Sequence, residues 1–270
     1  LQVETEVVDG DPLEGLCRLG RSGRFDLVVK LAEGNAPDTP YTFGPLDRGL
    51  LRICPLPLLA ANPHEEETPR VLVALDVDNP DDADLDHELL HVAVTRAALF
   101  KAELHVVHAW RLVGETALRS GAFTEVSGRK IESFRQKERT RRHQVIQDLL
   151  RQHRAADVEV TEHIVEGSPP KAIAAVAKST DADLLVMGAT PRPRLAGILL
   201  GNCAVAVLGA VKCSVLMVKS PDLAASLRDG RARRPCALVV GGKRVRPARA
   251  RLTPPARSPG RGRPGRCRSD

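Results

Sequence analysis

Between Val71 and Val218 the hydrophobic period switches repeatedly between 2 and 3.6 residues, and this alternation limits the fold more than any other feature. VLVALDV (71–77) is a short β-rich run, residues 82–100 follow with helical spacing, and LHVVHAW (104–110) is a strand again. A loop to about Thr124 leads to a charged helix ending near Arg154, whose buried side Ile131, Phe134, Val145, Ile146, Leu149 and Leu150 would supply. Residues 158–165 form a third strand, EGSPP turns the chain, and 171–178 make a short helix. ADLLVM (182–187) is a fourth, continuously apolar strand, 201–210 a small-residue helix, and CSVLMV (213–218) a fifth strand. Five strands separated by helices predict an α/β domain: a Rossmann-like five-stranded parallel sheet with helices on both faces. Its ligand site is expected beyond the strands' carboxyl ends.

The N-terminal region repeats part of this pattern. EVVDGDPLEGL (6–16) echoes HIVEGSPPKAI (163–173), and FDLVV (25–29) echoes ADLLV (182–186), both 157 residues apart. LLRICPLPLL (50–59) echoes GAVKCSVLMV (209–218), with Cys54 opposite Cys213. Residues 1–61 therefore read as the last two βα steps of a second copy, with 62–70 an acidic, proline-bearing linker, 71–222 the complete domain and 223–270 a basic, disordered tail. A half sheet without its central strand leaves one face uncovered, so the chain is expected to begin inside that copy.

The residues on which a site would be built lie in MGATPRPRLAGILLGN (187–202), between the fourth strand and the next helix. Asp76 ends the first strand of the complete domain, and Val107 lies on the second. Asp76 reads equally as an ordinary strand-end carboxylate. VLVALDV, VEGSPPKAI, ADLLVMGATPRPRLAGILLGNCAVAVLGAVKCSVLMVK, and the pair FDLVVKLA and DRGLLRICPLPLL together resemble the universal stress protein family in its tandem form. ATP-binding members of that family carry G-x2-G-x9-G-[ST], whose glycines admit phosphates to backbone N–H groups. Here the spacing survives, but Pro191 and Asn202 replace the middle glycine and the hydroxyl residue. Proline removes an N–H from the cradle. Arg192 and Arg194 either supply charge in its place or are solvated loop residues, the simpler reading.

The resemblance thus implies a degenerate nucleotide site at Asp76, Val107, Met187, Gly188, Pro191, Arg192, Arg194, Gly201 and Asn202. ATP, or another nucleotide-like or small anionic ligand, is what such a cleft would take. The same resemblance implies a stress-response role without catalysis, support of survival under DNA damage, and effects on motility or adhesion. It also implies domain pairing or a homodimer through the last strands, here 57–60 against 214–218.

Composition removes several competitors. Only 3% of residues are aromatic, too few for base-stacking platforms. No apolar run reaches the roughly 18 residues of a membrane helix and the start has no signal-peptide pattern, so the chain reads as soluble and cytoplasmic. Six cysteines without a C-x-x-C pair fit reduced, buried thiols. No nucleophile elbow or Walker A sequence is present.

His87-Glu88-Leu89-Leu90-His91 spells the zincin motif H-E-x-x-H. Leu85, Leu89, Val92 and Phe100 mark the apolar face of that helix, placing His87 and His91 toward solvent without an evident third ligand or cleft, so no metal site is assigned. From Ala224 on, thirteen Arg and one Lys against two Asp give +12, leaving −6 for the rest of a chain whose net charge is +6. RGRP (261–264) matches a minor-groove core, so nucleic acid is a partner if the tail is native. The same Arg, Pro, Gly and Ala bias is what an out-of-frame end of a GC-rich gene would encode, the reading the composition favours.

Overall fold

The computed structural model describes residues 3–31, 43–62, 69–112, 128–153, 155, 157–189, 191–192, 199–200, 202–220 and 237–240. Helix α1 (Pro12–Arg21) starts where Asp11 accepts the N–H groups of Leu13 and Glu14 at 2.7 and 3.3 Å, with Pro12 in the first turn. Strand β1 (Leu27–Leu31), helix α2 (Pro45–Ile53) and strand β2 (Leu58–Ala61) complete the N-terminal region. The larger unit runs β3 (Arg70–Leu75), a 3-10 turn (Pro80–Asp82), α3 (Ala83–Phe100), β4 (Glu103–Trp110), α4 (Gly128–His153), β5 (Val160–Glu166) and α5 (Pro169–Ser179). It continues with β6 (Leu184–Ala189), the short β7 (Pro191–Arg192) and β8 (Leu199–Leu200), α6 (Asn202–Leu208) and β9 (Ser214–Lys219). A final strand, β10 (Ala237–Val240), lies within the stretch expected to be disordered.

Eight strands form one sheet in the order β10-β1-β2-β9-β6-β3-β4-β5. All neighbours are parallel except β2 and β9, which pair antiparallel with Leu58 opposite Met217 and Ala60 opposite Val215. Strand 57–60 was expected against 214–218, and the contact is made within the chain. β10 pairs parallel with β1, Leu27 opposite Ala237, on the side away from β2. Its apolar run ALVV supplies backbone partners that an edge strand otherwise lacks.

Two apolar clusters flank the sheet. The inner one joins Leu16, Cys17, Val28, Leu50, Leu51 and Leu58 of the N-terminal region to Leu72, Val107, Leu185, Met187 and Met217, under Ile173, Val176 and Val207. The outer one holds Val71, Val73, Leu85, Leu89, Leu90, Leu104, Val106, Ile146 and Val186, with no residue of the first 61. Each helix contributes its 3.6-periodic apolar face, and burial of those faces rather than helix propensity holds the layers.

Three expectations about side chains fail. Phe134 and Phe100 are 50% and 51% exposed, and Arg142, expected on a solvated face, is 5% exposed. Phe100 ends its helix, beyond the sheet, with Arg96 over its ring at 4.1 Å. Arg142 reaches back to the strand ends and pairs there. Lys219 is another buried cation: it crosses from β9 to donate to the Leu51 carbonyl, and burial lowers its pKa to about 8, opposed by Cys54 and Cys17. Among the described residues no helix is long and apolar enough to cross a membrane.

Candidate functional site

Strands β3 and β6 are adjacent and parallel, and their connections leave in different directions, so the sheet has a switch point at their carboxyl ends. Asp76 follows β3 directly. Its backbone N–H donates to Asp86 Oδ1 at 3.0 Å, so the chain's own carboxylate takes the donor nearest the strand end. Asn79 then accepts from the Asp81 N–H and donates to Asp82 Oδ2 at 2.7 Å, folding DVDNPDDADLD into a capped turn. Burial pushes the Asp86 carboxyl up to about 7; the Asp76 and Asp82 charges add to this, while the Asp76 N–H works against it. Such an acidic strand end repels phosphate unless a cation accompanies it.

Val107 and Met187, 0% and 4% exposed, have their side chains in the inner cluster. Gly188 pairs with Val218, and a Cβ added to it would stand 2.6 Å from Cδ2 of Leu85. A side chain there would have to push the end of the Leu85 side chain aside, so the approach of α3 favours glycine at this position whether or not a ligand binds. Pro191 and Arg192 pair antiparallel with Leu200 and Leu199, so the ends of the expected open loop join as a ribbon. Proline fits there because an outer strand does not need its N–H. β8 in turn approaches α2 of the N-terminal region. Asn202 is the first residue of α6; Arg194 and Gly201 lie outside the described residues.

A polar constellation on α4 and the ends of β3 and β4 escaped the sequence reading. Arg142 lies over the Trp110 ring at 4.5 Å and directs Nε and Nη2 to Asp78 Oδ2, each at 2.9 Å. Its Nη1 reaches Glu138 Oε2 at 2.7 Å, and Arg141 holds the other oxygen of Asp78 at 2.9 Å. Burial works against the Asp78 charge, but Arg142, with His108 and Arg141, outweighs it and holds the carboxyl below its usual range. His108, 1% exposed, directs Nδ1 to the Leu75 carbonyl at 3.1 Å. These groups clamp β3, β4 and α4 together, and their charges are spent on one another. An Asp after a strand and an Arg on a remote helix offer no sequence signal that they meet.

A cavity of about 460 Å³ lies elsewhere, lined by Val94, Leu150, Arg151, Ala155, Val158 and Glu162 among others, away from the strand ends. On the same outer side, His87 Nδ1 is 2.9 Å from His153 Nε2, so His87 is partly covered where solvent was expected. Burial, with His87 and His91 nearby, holds the His153 pKa below its usual value. Among the described residues no three His, Cys, Asp or Glu side chains converge around a metal ion. Cys17 and Cys54 are buried, and Cys203 and Cys213 half-buried, all as free thiols.

The sequence profile of the universal stress protein family matches residues 67–219. The chain is similar to a universal stress protein E homolog of Haemophilus influenzae, 30% identical over 202 residues that cover 73% of this chain and 63% of that protein. It spans less than two thirds of that relative's length. Universal stress protein E of Escherichia coli K12 is 27% identical over 227 residues, 82% of this chain and 69% of that one. Among solved structures, a protein of Pseudomonas aeruginosa PAO1 described as functionally unknown superimposes with TM-score 0.62 and 26% identity, over 82% of this chain and 72% of that chain. A universal stress protein of Archaeoglobus fulgidus shares the fold, with TM-score 0.50 and 20% identity over 78% of this chain and 67% of that chain.

Proposed function

Because the chain belongs to the universal stress protein family, we propose that it is a non-enzymatic binding module of the stress response that acts through a partner or a ligand other than ATP. Residues 1–61 are, in this reading, the last two steps of a second copy of the domain. The matched order of β1 and β2 with β6 and β9 supports this. So does the family's tandem form. Support of survival under DNA-damaging or other stress is the role proposed for the whole protein.

The observation that carries the reading is the state of the strand ends. The Asp76 N–H is held by Asp86, and Pro191 has no N–H and stands in a ribbon beside α2. One backbone donor of the loop that cradles phosphate in the family's ATP-binding members is thereby missing, and the N–H nearest the β3 end is already engaged.

The test is calorimetric titration of ATP into the full chain and into a Pro191→Gly, Asn202→Ser variant. The expected result is no measurable affinity in the first and little gain in the second, because Asp86 and the ribbon remain. A gain of more than about 10-fold, or 1.4 kcal/mol, would make the loop the sole obstacle and overturn the reading in favour of a nucleotide switch.

A further inference from the structure

Two histidines of α3 and one at the end of α4 come together on the outer side of the sheet. His87 and His91 stand one turn apart on α3, and His153 is the last residue of α4. His87 Nδ1 and His153 Nε2 are 2.9 Å apart, with ring centroids at 5.2 Å. The His91 ring is 6.2 Å from that of His153. The i, i+4 spacing puts the two α3 imidazoles on one face, side by side.

We propose that His87, His91 and His153 bind a divalent first-row metal ion of the zinc type, clamping α3 to the end of α4. Zinc takes imidazole nitrogens at about 2.0–2.1 Å, and tetrahedral geometry then sets neighbouring donors about 3.3 Å apart. The closest pair already stands at 2.9 Å, near that separation, in a hydrogen bond that the ion would replace. His91 is exposed and free to turn its ring toward them. That rotation, with a tilt of the His87 and His153 rings that turns both lone pairs from each other toward the ion, is the rearrangement needed, since the resting side chains do not converge. The neighbouring cation Arg151 is tied to Asp148 at 2.5 Å, which offsets its charge. Imidazole donors on a solvated face favour zinc, nickel or copper over magnesium or calcium. The fourth position is left to water, so the site links two helices and no hydrolysis is assigned to it.

The test uses the full chain stripped with a chelator, dialysed against Zn²⁺ at micromolar free concentration and melted with and without the ion. The expected result is one ion lost, with affinity reduced on the order of 100-fold, in both His91→Ala and His153→Ala. The ion should also raise Tm in the parent and not in those variants. His143→Ala, elsewhere on α4 and bonded to Glu162, should match the parent. No zinc uptake by the parent, or uptake unchanged in His153→Ala, overturns the proposal, the latter assigning the ion to the thiols or to the α3 pair alone. If His153→Ala does not fold, His153→Gln keeps a polar partner for His87 and decides the same question.

Discussion

Strands β1 and β6 hold equivalent places in the sheet: each has a parallel neighbour on both sides, β10 and β2 for the one, β3 and β9 for the other. Aligned through FDLVV and ADLLV, Val28 faces the role of Leu185, Val29 that of Val186, Lys30 that of Met187 and Leu31 that of Gly188. On the inner face the pairs behave alike, with Val28 and Leu185 both at 0% exposure. On the outer face they part. Val186 is fully buried in the cluster beneath α3, whereas Val29 is half-buried and Leu31 is 37% exposed. Helices α1 and α2 place their buried residues in the inner cluster, so α3 has no counterpart from them over β1. The lesson is that the residue a strand position accepts is set by what packs above it.

Exchanging the last pair tests this most severely. Gly188→Leu should cost about 3 kcal/mol in urea denaturation, because the new side chain enters space that Leu85 and Leu89 already fill. Leu31→Gly should cost about 1 kcal/mol, mostly the backbone entropy of glycine in a strand. Equal losses would mean that both outer faces are covered alike.

The preceding pair breaks the comparison on the inner face. Where β6 has Met187, β1 has Lys30, whose Nζ lies 2.8 Å from Asp47 Oδ1, the two side chains 6% and 0% exposed. Asp47 also accepts the Gly44 N–H at 2.8 Å, fixing the start of α2. Asp47→Ala should therefore cost about 3 kcal/mol, since it leaves a buried ammonium without its carboxylate. Hydrogen exchange should then quicken in α1, α2 and β2 and stay slow in β3 to β5. The double variant Lys30→Met, Asp47→Leu should recover most of the loss; no recovery would show that the pair does more than balance charge.

How far this was legible in the sequence follows the same division. Strands of the larger unit stood out because burial on both faces writes continuous apolar runs, as in LLVM (184–187). The repeat located β1 and β2, the family resemblance implied the contact of β2 with β9, and its antiparallel sense came only from the structure. Arg142 and the His87–His153 pair were not legible, because each depends on a partner more than 60 residues away. Phe134 and Phe100 misled for the converse reason: helical periodicity names a face but not how far the sheet beneath it extends. The site residues were the hardest. Gly188 resembles a phosphate glycine in sequence, and only the approach of Leu85 reveals its packing role.

The smallest effect concerns the neighbours of the two compared strands. Beside β6 stands β3, whose end is held by the buried Asp86 of α3; beside β1 stands β10. Asp86 has its folded pKa raised to about 7, chiefly by burial, from an ordinary 3.8. Between those values the folded chain holds a proton that the unfolded chain has released. Stability contributed by this group is complete below about pH 4 and is lost as pH rises through 7. Asp86→Asn keeps an acceptor for the Asp76 N–H without the charge, so it should match the parent near pH 4 and exceed it in stability above pH 7. Hydrogen exchange across that range should lose protection in β3 and α3 of the parent and not in β1 or α2. A parent whose two regions weaken together would show that the acidic strand end is coupled to the whole sheet, because the inner cluster runs unbroken from one to the other.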